Sequence, residues 1–135
     1  MALAIKVVIP KGVLLETEVD TVILPGSEGD LQILPGHLAL FSPLRQGELW
    51  LDAQGRSKAV VFGGVVEVLQ DKVTVLADNA ELADKIDVER ARQARERAER
   101  RLERARTDEK IDLARARAAL HRALLRLSTA SRKAD

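Results

Sequence analysis

Two hydrophobic rhythms divide the chain. Through residue 80 apolar and polar positions alternate with a period near two; from residue 86 apolar positions recur every three to four and every seven. In the first part, Leu3, Ile5, Val7 and Ile9 alternate with Ala4, Lys6 and Val8, and Pro10-Lys11-Gly12 turns the chain. This reading predicts strands over 3–9, 13–19, 21–24, 31–34, 38–41, 48–51, 58–62, 65–69 and 73–77. Turn signals separate them at Pro25-Gly26-Ser27-Glu28-Gly29, Pro35-Gly36-His37, Asp52-Ala53-Gln54-Gly55 and Gln70-Asp71-Lys72. Short strands at regular spacing argue a sandwich or small barrel, and Gly63-Gly64 inside an apolar run predicts a bulge or a sharp bend between sheets. Residues 78–85 are polar and aperiodic and read as a link.

From Ile86 to Leu127 the chain is mostly Ala, Arg, Glu and Leu, with no Gly or Pro after Gly64. These are strong helix formers. The run breaks once, at Arg106-Thr107-Asp108-Glu109-Lys110, and Asp87 and Asp112 each stand where an N-cap would. Two helices joined by a short polar turn favour an antiparallel hairpin. The second helix carries Leu113, Leu120 and Leu127 at seven-residue spacing, as well as Ala116, Ala123 and Ala130. The first carries Ala91, Ala98 and Ala105, with Arg95 and Arg101 interrupting the face. Alanine permits close approach but buries little area, so helix propensity is high while the tertiary anchor is weak. That suits a part able to undock while staying helical; a permanently docked hairpin or a coiled-coil arm shares the pattern. The expected organisation is a β-sandwich of two sheets over 1–82 and an antiparallel α-helical hairpin over 83–135.

Charge sharpens this division. Residues 1–80 carry 6 Lys and Arg against 10 Asp and Glu, a balance of −4; residues 81–135 carry 16 against 11, a balance of +5. A basic arm predicts an acidic partner. Its arginines are interleaved with glutamates and no aromatic lies in it to stack on bases, which argues against nucleic acid. With no cysteine and two histidines, His37 and His121, thiolate sites are excluded and no metal cluster is expected. No apolar run reaches membrane-spanning length, and the N-terminus lacks a basic segment followed by an apolar core; a cytosolic protein without an export signal is expected.

No catalytic constellation stands out. There is no Walker loop, and Gly26-Ser27-Glu28-Gly29-Asp30 is glycine-rich but acidic, repelling phosphate. His37 reads as a turn histidine bonded to nearby backbone, and Trp50 as core or half-buried. Arg90 and Arg97 share one helical face, as do Arg122 and Arg126. A closed hairpin could gather these four guanidiniums for phosphate oxygens, with Asp87 accepting from a purine amino group or a sugar hydroxyl. On spacing alone the favoured reading is plainer: the arginines are a solvated face and Asp87 an N-cap.

Several segments in order resemble the ε subunit of the bacterial F-type ATP synthase. Gly26-Ser27-Glu28-Gly29-Asp30-Leu31-Gln32-Ile33-Leu34-Pro35-Gly36-His37 resembles that family's Gly-x-x-Gly-Glu-x-Gly-Ile-x-Pro-Gly-His signature. Gly63-Gly64, Glu67-Val68 and Val73-Thr74-Val75-Leu76-Ala77-Asp78 resemble a second family segment, and Ile86-Asp87-Val88-Glu89-Arg90-Ala91 fits the Ile/Leu-Asp-x-x-Arg-Ala motif of ATP-binding members. Gln32 replaces the usual glycine, Asp30 the usual glutamate, and Ala39 a common proline. Ile111-Asp112-Leu113-Ala114-Arg115-Ala116 repeats the motif, a copy attributed to helix-start chemistry.

The resemblance implies a non-catalytic rotor subunit at the cytoplasmic face of the membrane, peripheral and not inserted. It implies partners in the γ subunit, the c-ring and, when the hairpin is extended, the α/β catalytic head. The hairpin would permit hydrolysis when folded down and block it when raised. Asp30 and His37 would lie in the loop facing the ring. ATP would hold the hairpin down through positions matching Glu81, Ile86, Asp87, Arg90, Ala91, Arg97, Arg122 and Arg126. The sequence assigns Mg²⁺ no ligand. The alternative is a free-standing ATP sensor outside any rotary motor.

Overall fold

Apolar alternation in the first half becomes a single path of hydrogen-bonded strands. In a computed structural model, residues 2–131 are described, so residues 132–135 of the expected helical unit lie outside the described part. The strands are β1 (Leu3–Ile9), β2 (Gly12–Val19), β3 (Val22–Gly26), β4 (Gly29–Ile33), β5 (Leu40–Trp50), β6 (Lys58–Leu69), β7 (Lys72–Ala77) and β8 (Ala80–Leu82). A 3-10 turn over Ala83–Lys85 leads to α1 (Val88–Ala105) and α2 (Leu113–Ser131). The sheet runs β2-β1-β7-β6-β5-β3-β4, with β8 paired to β6. It folds over on itself into a sandwich. The core joins Leu3, Ile5 and Val7 of β1 to Val22 and Leu24 of β3 and Ile33 of β4, from strands far apart along the hydrogen-bonded path.

Gly63 and Gly64 make the fold-over. β7 pairs with one half of β6, from Gly64↔Ala77 to Leu69↔Lys72, and β8 with the other, from Ala59↔Leu82 to Val61↔Ala80. Between them Gly63 has φ +88° and Gly64 φ +136°, and a Cβ on Gly64 would press on the Leu76 carbonyl oxygen and lie 2.8 Å from Ala77 Cα. The β5–β6 register runs through unshifted, so the pair makes a bend and not a bulge.

Three strand expectations need correction. Segments 38–41 and 48–51 are the two ends of β5, where strand geometry begins at Leu40, and 58–62 and 65–69 are two halves of β6. β5 runs unbroken through Pro43, which pairs with Val65 and whose carbonyl accepts from Ser27 N at 3.1 Å. The stretch read as a link contains β8, a three-residue strand, Ala80-Glu81-Leu82, that adds to the sheet through β6.

The helices start where their caps stand. Asp87 Oδ1 accepts from Arg90 N at 3.0 Å and Asp112 Oδ1 from Arg115 N at 3.1 Å, so both copies of the repeated motif perform the same capping. Ala91 and Ala98 of α1 and Ala116 and Ala123 of α2 are buried, while Leu113 and Leu124 are exposed. The hairpin seam is thus built chiefly of alanine, and the heptad leucine at 113 lies outside it. α1 packs on α2, and α2 lies on β5 and β6. The apolar anchor there is small: Val60, Phe62 and Ile86, with Leu125 and Ala130 half-buried against them.

Candidate functional site

Where α1 leaves the sandwich, charge replaces apolar packing. A cavity of about 590 Å³ opens there. Asn79 and Glu81 line it from the β7–β8 segment, and Lys85 from the 3-10 turn. Asp87, Arg90, Ala91, Ala94 and Arg97 line it from the start of α1, Arg126 from α2, and Lys11 from the β1–β2 turn. Helical spacing explains the α1 set, since Arg90, Ala94 and Arg97 fall on one face and the small Ala91 and Ala94 leave room between the guanidiniums.

Five cations meet two carboxylates there, a balance of +3. Arg126 is already engaged: its Nη2 lies 2.8 Å and its Nε 2.9 Å from Glu81 Oε2. Its guanidinium carbon stands 4.7 Å from the Phe62 ring centroid. Lys11, Lys85, Arg90 and Arg97 make no ion pair among the described residues. Like charges held around a void repel, and an anion placed between them relieves that repulsion. Guanidinium forks suit phosphate or carboxylate oxygens. Asp87 commits one oxygen to its cap and leaves the other to accept from a ligand donor. No nucleophile–base pair lies among the lining residues. Among the described residues no group of three or more His, Cys, Asp and Glu could hold a metal ion.

Six of the eight positions named from sequence therefore line one cavity: Glu81, Asp87, Arg90, Ala91, Arg97 and Arg126. Ile86 does not; it is buried against Val60 and Phe62 and serves the docking contact. Arg122 is half-buried and also absent from the lining, so three of the four expected guanidiniums converge. Sequence reasoning missed Lys11, Lys85 and Asn79. Lys85 adjoins the motif and was within reach of it, but Lys11 carries no local signal. It arrives because β1 and β7 pair in parallel, up to Val8↔Leu76, which sets the ends of both strands side by side.

Asp30 and His37 lie elsewhere. Asp30 pairs with Arg45 Nη2 at 2.7 Å. His37 is exposed, its Nδ1 2.7 Å from the Leu38 carbonyl oxygen, and neighbouring Gly36 N donates to Asp71 Oδ1 at 2.7 Å. This end of the sandwich exposes Leu34, Leu38, Phe41 and Leu69. Trp50 is half-buried, and no described helix is long and apolar enough to cross a membrane.

Comparison with known proteins adds an independent line. The family model "ATP synthase, Delta/Epsilon chain, beta-sandwich domain" matches residues 2–83, and "ATP synthase, Delta/Epsilon chain, long alpha-helix domain" matches residues 84–131. An ATP synthase epsilon chain of Halalkalibacterium halodurans is 48% identical over 107 residues, 78% of this chain and 80% of that one. One from Nitratidesulfovibrio vulgaris is 47% identical over 102 residues, 75% and 76% of the two chains. In fold, the chain is similar to one in the Euglena gracilis mitochondrial ATP synthase structure of OSCP, F1 and c-ring. There the TM-score is 0.74 at 21% identity, covering 96% of this chain and 81% of that one.

Proposed function

The chain belongs to the ATP synthase delta/epsilon family, and from that premise we propose how it works as an epsilon chain of the F-type ATP synthase. It is a non-catalytic subunit of that enzyme. In our reading it sits peripherally in the central stalk at the cytoplasmic face, with the sandwich between γ and the c-ring and the hairpin as a brake on hydrolysis. ATP in the cavity holds the hairpin down, so falling ATP releases it toward the α/β head.

The cationic cavity carries this reading. It is lined by residues of both helices and of the sandwich, so it is assembled only while the hairpin is docked. A ligand shifts an equilibrium by its differential affinity for the two states, and a site absent from the raised state gives the largest difference. At ATP about 100 times its dissociation constant, the docked state gains roughly 2.7 kcal/mol. The alanine seam and small apolar anchor leave the docking weak enough for that to matter. The exposed apolar end around Leu38 and Phe41 supports a protein-facing surface there, and the Gly36–Asp71 hydrogen bond holds its loop in place.

Calorimetric titration of the chain with ATP tests the ligand. Binding that weakens at least ten-fold in Arg90→Ala and Arg97→Ala, and stays unchanged in Arg115→Ala of the repeated motif, is expected. No binding at millimolar ATP removes the nucleotide role. Truncation after residue 86 in the assembled enzyme tests the brake: hydrolysis should rise at low ATP, and unchanged hydrolysis across ATP concentrations sinks it.

A further inference from the structure

We propose that Lys11, on the turn between β1 and β2, is a phosphate contact of the nucleotide site. The ligand then clamps α1 directly to the sandwich body. This rests on the nucleotide reading above and goes beyond the helix-borne residues.

Four observations carry it. Lys11 lines the same cavity as Arg90, Arg97 and Arg126. It makes no ion pair among the described residues, so no partner must be displaced before it meets an anion. Its turn is stiff: Pro10 fixes the backbone on one side, and Gly12 at φ +133° takes a conformation closed to other residues on the other. The parallel β1–β7 pairing then places that turn beside Asn79 and Glu81, at the mouth of the site. The ammonium is thus carried by the sheet and not by the moving helices.

The arrangement has a mechanical consequence. α1 packs on α2, and the apolar docking contacts belong to Ile86 and α2. Arg90 and Arg97 on α1 face Lys11 across open space. A polyphosphate accepting from both sides closes that gap and opposes undocking at the helix that has least packing of its own. A lone anion bound by α1 alone would not resist undocking, because it would travel with the helix.

The test is calorimetric titration of the full chain with ATP and with AMP, in wild type, Lys11→Ala, Lys11→Arg and Lys6→Ala. Lys6 is an exposed β1 lysine outside the cavity lining and controls for removal of a charge from the body. A phosphate contact predicts ATP affinity at least ten-fold weaker in Lys11→Ala, within three-fold of wild type in Lys11→Arg, and within two-fold in Lys6→Ala. AMP, with one phosphate, should lose less than ATP. Lys11→Ala within two-fold of wild type, while Arg90→Ala weakens binding ten-fold, overturns this inference and leaves the nucleotide site standing. Equal losses in Lys11→Ala and Lys6→Ala also overturn it, reducing Lys11 to diffuse charge. Absence of ATP binding in wild type removes the nucleotide reading and this inference together.

Discussion

Replacing Arg126 by alanine should release the hairpin even with no nucleotide present. Two donors of one guanidinium converge on Glu81 Oε2, at 2.8 and 2.9 Å, with the side chains 25% and 29% exposed. A hydrogen bond to a charged group contributes about 1.5–3 kcal/mol when shielded, and a fully exposed ion pair roughly 0–1 kcal/mol. At this exposure, with one acceptor atom shared, about 1.5 kcal/mol is the reasonable figure. Stacking on Phe62 at 4.7 Å adds roughly 0.5 kcal/mol. The total of about 2 kcal/mol corresponds to a roughly 30-fold rise in the undocked fraction. The native chain has no cysteine, so a single Val60→Cys, buried beneath α2, reports undocking by its rate of thiol labelling. Arg126→Ala should speed labelling about 30-fold. A cysteine at Val68, in the sandwich core, should be unaffected, which separates undocking from global unfolding. In a double-mutant cycle, Glu81→Ala with Arg126→Ala should fall short of additivity by about 1–2 kcal/mol. Labelling within three-fold of wild type, or strict additivity, would refute the latch.

Further expectations concern the frame. Gly64→Ala should prevent the sandwich from folding, because its Cβ meets the Leu76 carbonyl and φ is +136°; a cooperative native-like melt would contradict this. Ala123→Leu overpacks the hairpin seam and should cost about 1–3 kcal/mol; protease sensitivity confined to the helices is the readout, and an unaltered digest counts against a tight seam. Burial raises the Asp52 carboxyl and is the largest single influence, but the amides of Arg56, Ser57, Gln54 and Gly55 together outweigh it and hold the group below the ordinary 3.8. Its contribution is therefore present above the unfolded value and is lost as pH falls through the folded one. Asp52→Ala should cost about 1 kcal/mol at pH 7, solvent screening keeping it near the low end. The gap to wild type in denaturant midpoints should narrow below about pH 4, and a gap that widens in acid would reverse the argument.

Local chemistry was legible wherever one residue type could decide alone. Asp87 and Asp112 announce helix starts because a short carboxylate satisfies first-turn amides without help from the rest of the fold. Alternation in β1 and the Gly63-Gly64 bend were readable for the same reason: burial period and left-handed φ are properties of the local chain. The continuity of β5 from 38–41 to 48–51 was not legible because the ladder with β6 holds it together, and that pairing lies outside the local chain. β8 misled because three residues, Ala80-Glu81-Leu82, are too few to show a period and gain their place from β6, a partner some twenty residues away.

The sequence by itself determined the two rhythms, the caps, the alanine-faced hairpin and the charge split, since each rests on interactions within a few residues. Tertiary structure alone decided what those charges face. Parallel pairing of β1 with β7 carried Lys11 to Asn79, a separation of 68 residues in the numbering. Docking turned Arg126 toward Glu81 and Phe62, placed Ile86 in the apolar contact, and left Arg122 outside the cavity. Helical spacing says which side chains share a face; only the rotation and seating of the helix on the sheet say what that face meets.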